Sequence, residues 1–205
     1  MLAHFYHVYA DGAWEAPVEE HLHALTVSGL LDNLNDLFVG IVGSPENRTS
    51  VKVRFPAVVV AEADTGWEQV TLAKLHEYAM NHDGKIFYAH TKAAHQDDRY
   101  RARWRRAMTY DTVIRWRDCV HALDIVDVAG PYWMISQDSE HKNHQHFFGG
   151  NFWWGQAKYL RGLAPVGLEH RWQAEGWIGL NAPSVKIMRE GIPSWENFEV
   201  PNVVV

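Results

Sequence analysis

Short apolar runs alternate with amphipathic helical stretches along the first two thirds of this chain, and that alternation restricts it to an α/β fold. Strands are expected over His4–Ala10, Leu37–Val42, Ala57–Ala61, Lys85–Ala89 and Ile125–Ala129. The third run is almost wholly apolar, which predicts burial on both faces. Helices are expected over Glu15–Leu34, with Leu22, Leu25 and Leu30-Leu31 inward, and over Gln69–Asn81, with Leu72, Leu75 and Tyr78-Ala79 inward. A long helix over Tyr100–Leu123 carries a break near Thr109. Beyond Gly130 the pattern becomes irregular and aromatic, with short elements at Lys158–Leu163 and Glu175–Ile178 and no clear period from Gly191 onward.

Ligands of open α/β sheets sit beyond the carboxyl ends of the strands. Here those ends are Ala10-Asp11-Gly12, Gly43-Ser44, Glu62-Ala63-Asp64, His90-Thr91-Lys92 and Gly130, and polar residues collect there. This predicts the site from topology alone.

Composition narrows the partners. The 205 residues suit one domain. With 19 Lys plus Arg against 25 Asp plus Glu, the net charge is −6, so any polyanion site must be a local patch. A single cysteine, Cys119, excludes a disulfide framework and a Cys-based zinc module. No apolar stretch approaches the roughly 20 residues of a spanning helix, and Met1-Leu2-Ala3-His4 lacks a basic segment leading into an apolar one. We therefore expect a cytosolic protein without membrane insertion.

Several clusters could carry chemistry. His90, Thr91 and Lys92 end a buried strand, where an imidazole, a hydroxyl and an ammonium could hold a diphosphate; a solvated polar strand end is the plainer alternative. Arg99 to Arg106 contains five arginines, of which Arg99, Arg103 and Arg106 share one helical face. That face suits phosphates, or is a solvated surface neutralised by Asp97, Asp98 and Asp111. Trp104 is the residue expected to turn inward. His141, His144 and His146 have the look of a metal cluster, or of an exposed loop. Gly149-Gly150-Asn151, ringed by Phe147, Phe148, Phe152, Trp153 and Trp154, fits a ligand wall or a core corner. The chain holds 10 Trp, and each can equally be an ordinary core residue. Glu175, next to Gly176-Trp177, is a candidate general base whose pKa a neighbouring indole would raise, or a helix-terminal carboxylate.

Four segments in order resemble a group of small bacterial and phage glycosyltransferase-like proteins: Tyr88-Ala89-His90-Thr91-Lys92, Trp104-Arg105 with Met108, His146 to Trp154, and Ala174-Glu175-Gly176-Trp177. The chain is also distantly similar to the rhamnan-synthesis glycosyltransferases, with Asp64-Thr65-Gly66-Trp67-Glu68 standing where they carry an Asn-x-Gly-x-Asp segment. The resemblance spans roughly residues 4 to 180, and Gly-Gly-Asn-Phe-Trp-Trp is its most specific part. It implies a GT-A-like Rossmann-type sheet flanked by helices, with a nucleotide-sugar half over residues 1–130 and an irregular, aromatic-rich acceptor half over 131–205. It further implies a donor site at His7, Tyr9, Asp64, His90, Thr91, Lys92, Trp104 and Arg105. The acceptor wall would be His146, Gly149, Gly150, Asn151, Phe152, Trp153 and Trp177, with Glu175 as base. Two departures stand out. Ala93 replaces a glycine of the group. No Asp-x-Asp pair is present, and Glu62-Ala63-Asp64 is the nearest substitute, which argues against a Mg²⁺ or Mn²⁺ requirement.

The expected activity is transfer of a sugar from a nucleotide-diphosphate sugar to a hydroxyl of an envelope glycan or of a hydroxylated base in phage-type DNA. A non-catalytic carbohydrate- or nucleotide-binding module and a His-metal hydrolase are the alternatives.

Overall fold

The computed structural model describes residues 1–92, 94, 98–135 and 146–201. Its centre is a seven-stranded sheet in the order β3-β2-β1-β4-β8-β5-β9. Strand β1 (Leu2–Tyr9) lies mid-sheet and pairs in parallel with β2 (Asp36–Val42) and β4 (Lys85–His90), and β2 pairs in parallel with β3 (Val58–Ala63). Strand β8 (Trp153–Gln156) is inserted antiparallel between β4 and β5 (Val128–Pro131), and β9 (Val185–Arg189) closes the far edge parallel to β5. β6 (Trp133–Ile135) and β7 (His146–Phe148) form a separate two-stranded ribbon. This is the expected GT-A-like, Rossmann-type α/β architecture.

Helices cover both faces. On one lie α1 (Glu15–Val27), α4 (Arg99–Thr109) and α5 (Trp116–Ala122), packed on Tyr6, Val8, Phe87 and Trp154. On the other lie α3 (Gln69–Asn81), α6 (Ala157–Arg161) and α7 (Trp172–Gly176), packed on Phe5, Ile86, Tyr88 and Trp153. Successive strand residues point to opposite faces, so the pair Trp153-Trp154 serves both cores. Trp154 stacks on Phe87 at 5.1 Å and Trp153 leans on Tyr88 at 5.3 Å.

The helix expected over Tyr100–Leu123 does break after Thr109. A π-helical turn, Tyr110–Ile114, intervenes, and its Thr112 carbonyl accepts the Trp154 indole N–H at 2.8 Å. Other boundaries are corrected. The helix begun at Glu15 ends at Val27, and a 3₁₀ turn at Leu31–Asn33 follows. Helix α2 (Pro45–Arg54) has no counterpart among the expected elements. Ser44 caps it by accepting from the Asn47 N–H, and Pro45 starts it, but it buries only Val51 and so lacks an apolar stripe. The β3 run is not buried on both faces. It is the sheet's edge, and Val58 is 61% exposed.

Candidate active site

The chain leaves β1 toward β2 and β3 on one side, then crosses through α3 to β4 on the other. The crevice between the carboxyl ends of β1 and β4 is thus the topological switch point of the sheet. A cavity of about 570 Å³ occupies it, lined by His7, Tyr9, Asp11, Asp64 to Glu68, His90, Thr91, Lys92, Arg101, Arg171 and Glu175.

The wall nearest α3 is fixed by a close approach of helix to sheet. A Cβ at Gly40 would lie 2.0 Å from the Thr71 Oγ1, so only glycine admits the helix here. Thr71 Oγ1 then bonds His7 Nδ1 at 2.8 Å. One position before α3, Glu68 is held from two sides. Its Oε2 accepts from Tyr88 Oη at 2.9 Å and from Asn151 Nδ2 at 2.6 Å, and its Oε1 stands 3.5 Å from His90 Nδ1. Asn151 adopts φ +58°, a left-handed conformation that Asn tolerates better than most residues. Its Oδ1 accepts the Trp153 indole N–H at 2.8 Å.

His90 donates from Nε2 to the Gly150 carbonyl at 3.0 Å. Burial, reinforced by the Lys92 charge, lowers its pKa to about 3. Burial likewise lowers His7 to about 4, opposed by Glu68. Both imidazoles are therefore neutral near pH 7. Thr91 is buried and turns its hydroxyl to the backbone, accepting the Tyr9 N–H at 2.9 Å.

Lys92 supplies the cation next to these groups. Its ammonium rests 4.2 Å from the centroid of the Trp104 ring. Burial lowers its pKa, and the Glu175 and Glu68 charges oppose that change. Glu175, on the short helix α7, is pushed the other way: burial raises its pKa, Lys92 lowers it and Glu68 raises it further. Helix α7 is moored by Gln69 Nε2 donating to the His170 carbonyl at 2.8 Å and by the Trp177 indole donating to Ala164 at 2.8 Å. A carboxylate whose pKa burial raises, lining one cavity with an ammonium, can take a proton from a hydroxyl while the cation holds an anionic leaving group.

Of the residues expected at the donor site, His7, Tyr9, Asp64, His90, Thr91 and Lys92 line the cavity, and Glu175 stands with them. Trp104 and Arg105 do not. Arg105 is buried in an ion pair with Glu20 at 2.8 Å and donates to the Lys92 carbonyl at 3.0 Å, so it holds Lys92 from behind. Trp104 carries the Lys92 ammonium on its ring face without lining the cavity itself. The expected acceptor wall is likewise displaced. Asn151, Phe152, Trp153 and Trp177 are core residues, Gly149 and Gly150 are buried backbone, and exposed His146 stacks on Trp133 at 5.7 Å. Each aromatic ring there has a packing partner inside the protein, which is why it turned inward. His141 and His144 lie outside the described residues, as do Ala93 and Asp97.

The sequence marked Asp11 only as part of a strand end, Glu68 only within the Asp64–Glu68 segment and Arg101 only within the arginine cluster, and it gave Arg171 no role; the structure brings all four to the cavity. Glu62 and Asp64 are ion-paired with Arg48 and Lys52, at 3.6, 2.5 and 2.6 Å. Among the described residues no group of three or more His, Cys, Asp or Glu is placed to hold a metal ion. Asp127 precedes β5, binds Ser184 and does not line the cavity. Among the described residues no helix is long and apolar enough to cross a membrane.

The chain belongs to the family described as a domain of unknown function, DUF8361, whose model matches residues 5–185. Among curated proteins no sequence relative matches. Among solved structures, the 4-diphosphocytidyl-2C-methyl-D-erythritol synthase of Anaerococcus prevotii superposes with a TM-score of 0.51 at 8% identity, covering 97% of this chain and 94% of that one. HddC from Yersinia pseudotuberculosis follows at 0.49 and 8%, covering 92% and 90%. At this identity the likeness concerns the fold.

Proposed function

We propose that the chain is a glycosyltransferase that uses a nucleotide-diphosphate sugar. The observation that carries this reading is Glu175, a half-buried carboxylate, sharing one switch-point cavity with Lys92, Arg101 and Arg171. Glu175 takes the proton of an acceptor hydroxyl. The hydroxyl oxygen bonds to the anomeric carbon as the bond from that carbon to the diphosphate oxygen breaks, and the nucleoside diphosphate leaves with the electron pair. Lys92 and the two arginines compensate its charge. Neutral His7 and His90 with fixed Glu68 make the opposite wall rigid. Because the carboxylates nearest to an Asp-x-Asp motif are ion-paired, EDTA is expected to leave most activity in place. Complete loss restored by Mn²⁺ would overturn that expectation.

A second reading is nucleotidyl transfer, favoured by the fold shared with the Anaerococcus synthase of a diphosphocytidyl product. Its attacking group is a phosphate, already an anion, which needs no base. A carboxylate lining the cavity, Glu175, therefore has a role in the first reading and none in the second. Product analysis separates the two: nucleoside diphosphate from a nucleotide sugar supports glycosyl transfer, and pyrophosphate from a nucleoside triphosphate supports nucleotidyl transfer. A thermal-shift screen of UDP, GDP, CDP and dTDP sugars identifies the donor to use, since a ligand bound only by the folded state raises Tm.

A further inference from the structure

The indole nitrogen of Trp104 is buried without a hydrogen-bond partner among the described residues. The ring that carries the Lys92 ammonium is therefore oriented by packing. One support is Gly150, where a Cβ would come 3.2 Å from Trp104 Cε2 and 2.4 Å from Met108 Sδ. The other is Phe198, which is 4% exposed and lies nearly parallel to the indole, with 15° between planes and 6.3 Å between centroids. Tyr100 meets both rings edge-on.

Phe198 belongs to the segment that follows β9, beyond the residues that the family model matches. That segment is tied down at Asn197. Its carbonyl accepts from Tyr132 Oη at 2.9 Å and from Arg189 Nη1 at 3.3 Å, and its side-chain amide donates to the Glu190 and Ile192 carbonyls at 2.8 and 3.2 Å. Tyr100 Oη donates to the Pro193 carbonyl at 2.9 Å. A cavity cation thus rests on a ring that rests on this segment.

We propose that Phe198 is a positioning residue for Lys92, acting through Trp104 to set where the ammonium stands in the cavity. This rests on the glycosyltransferase reading only for its consequence, the grip on the diphosphate; the linkage itself is independent of it. A tryptophan face favours the charged form of a nearby amine, so loosening the ring lets the Lys92 amine lose its proton at lower pH.

The test is a titration of the full-length protein, with its lysines ¹³C-methylated and no substrate added. Lys92→Arg assigns the signal. In the wild type, the Lys92 methyl resonances should carry an upfield ring-current displacement; random-coil positions would overturn the proposal. Phe198→Leu, which keeps most of the buried volume, should reduce that displacement and lower the amine pKa by about half a pH unit or more. Trp104→Leu should do so at least as strongly. Trp195→Ala removes a ring that meets Tyr100 and Phe198 and should leave the Lys92 signal where it is. If Phe198→Leu does not fold, Phe198→Met takes its place with the same criteria. A wild-type Lys92 titration in the Phe198 variant, alongside a lowered one in Trp104→Leu, would overturn the proposal. Donor binding is not read, so failure of the glycosyltransferase reading leaves this test intact.

Discussion

The cavity at the end of β4 and the aromatic block at residues 147–154 lie side by side, yet they treat polar groups in opposite ways. In the block each indole N–H has an internal acceptor: Trp153 bonds Asn151 and Trp154 bonds Thr112. Asn151 in turn gives its amide to Glu68. Across the cavity, the Glu175 carboxylate forms no hydrogen bond or ion pair among the described residues, and the nearest support of the Lys92 ammonium is a ring face. Buried polar groups are costly unless paired. A region whose polar atoms are all satisfied is architecture, whereas charges held apart in an open crevice are satisfied by what binds there.

Acid should expose this division most strongly. His4 is pushed down to about 3 by burial, against a backbone bond to Phe87, and His21, 2.8 Å from it, is also lowered by burial and by His4. His7 and His90 in the cavity are lowered to about 4 and about 3. All four bind fewer protons folded than unfolded. Stability is then complete above the unfolded pKa of about 6.5 and falls as pH drops from there toward 3–4. Each histidine contributes a slope of up to about 1.4 kcal/mol per pH unit in that window. Urea titrations at stepped pH measure it. His21→Gln should flatten the dependence without touching donor binding, and an unchanged slope would remove the His4–His21 pair as its source.

Trp153→Ala should come next, at about 3–5 kcal/mol of stability, or on the order of 10 °C in Tm. Trp153→Phe tests the comparison more sharply. If the ring belongs to the architecture, Tm falls and the acceptor KM stays where it was. A raised KM with unchanged Tm would return the block to the acceptor site.

Much of the fold was legible because hydrophobic period is a local property. The apolar spacing of Leu72, Leu75 and Ala79 set the limits of α3, and the polar ends of β1, β3 and β4 marked the switch point. What was not legible depends on neighbours distant in sequence. Val58 to Val60 read as buried because nothing local reveals that β3 is an edge. Trp104-Arg105 and the Gly-Gly-aromatic block read as ligand contacts because a tryptophan lining a pocket and one filling a core look alike in a sequence. The inward residue of the Trp104-Arg105 pair is the arginine, since Glu20 pairs with it there. Glu68 is fixed in the site by Tyr88 and Asn151, residues 20 and 83 positions away, and stands against His90.

The catalytic side of the comparison is tested by Glu175→Gln. Gln keeps volume and hydrogen-bonding capacity but cannot accept the acceptor's proton. General base catalysis contributes about 10²–10⁴-fold, so kcat should fall by that order, with donor Kd and Tm close to wild type. Turnover near the wild-type rate would exclude Glu175 as the base and leave Asp64, Asp11 and Glu68 as the cavity carboxylates to test.

The smallest expected effect separates a residue that meets the donor from one that stands behind it. A charge-assisted contact is worth about 1.5–3 kcal/mol, so Lys92→Ala should weaken nucleotide-sugar binding by about 10- to 100-fold. Tm should change little, because the ammonium faces the cavity and makes no ion pair among the described residues. Added salt should narrow the gap between variant and wild type, since the lost attraction is ionic. Arg105→Ala should show the reverse. It leaves Glu20 with Arg106 alone and the Lys92 carbonyl without its arginine donor, and weakening a buried pair costs folding free energy rather than a contact with the ligand. Its signature is a lowered Tm with a smaller change in donor affinity, arising only from the loosened turn at Lys92. Calorimetric Kd and Tm measured on both variants decide the matter. An unchanged Kd in Lys92→Ala removes Lys92 from the donor site. A Kd loss in Arg105→Ala as large as that in Lys92→Ala, with Tm preserved, would place Arg105 on the ligand and erase the distinction drawn between cavity and support.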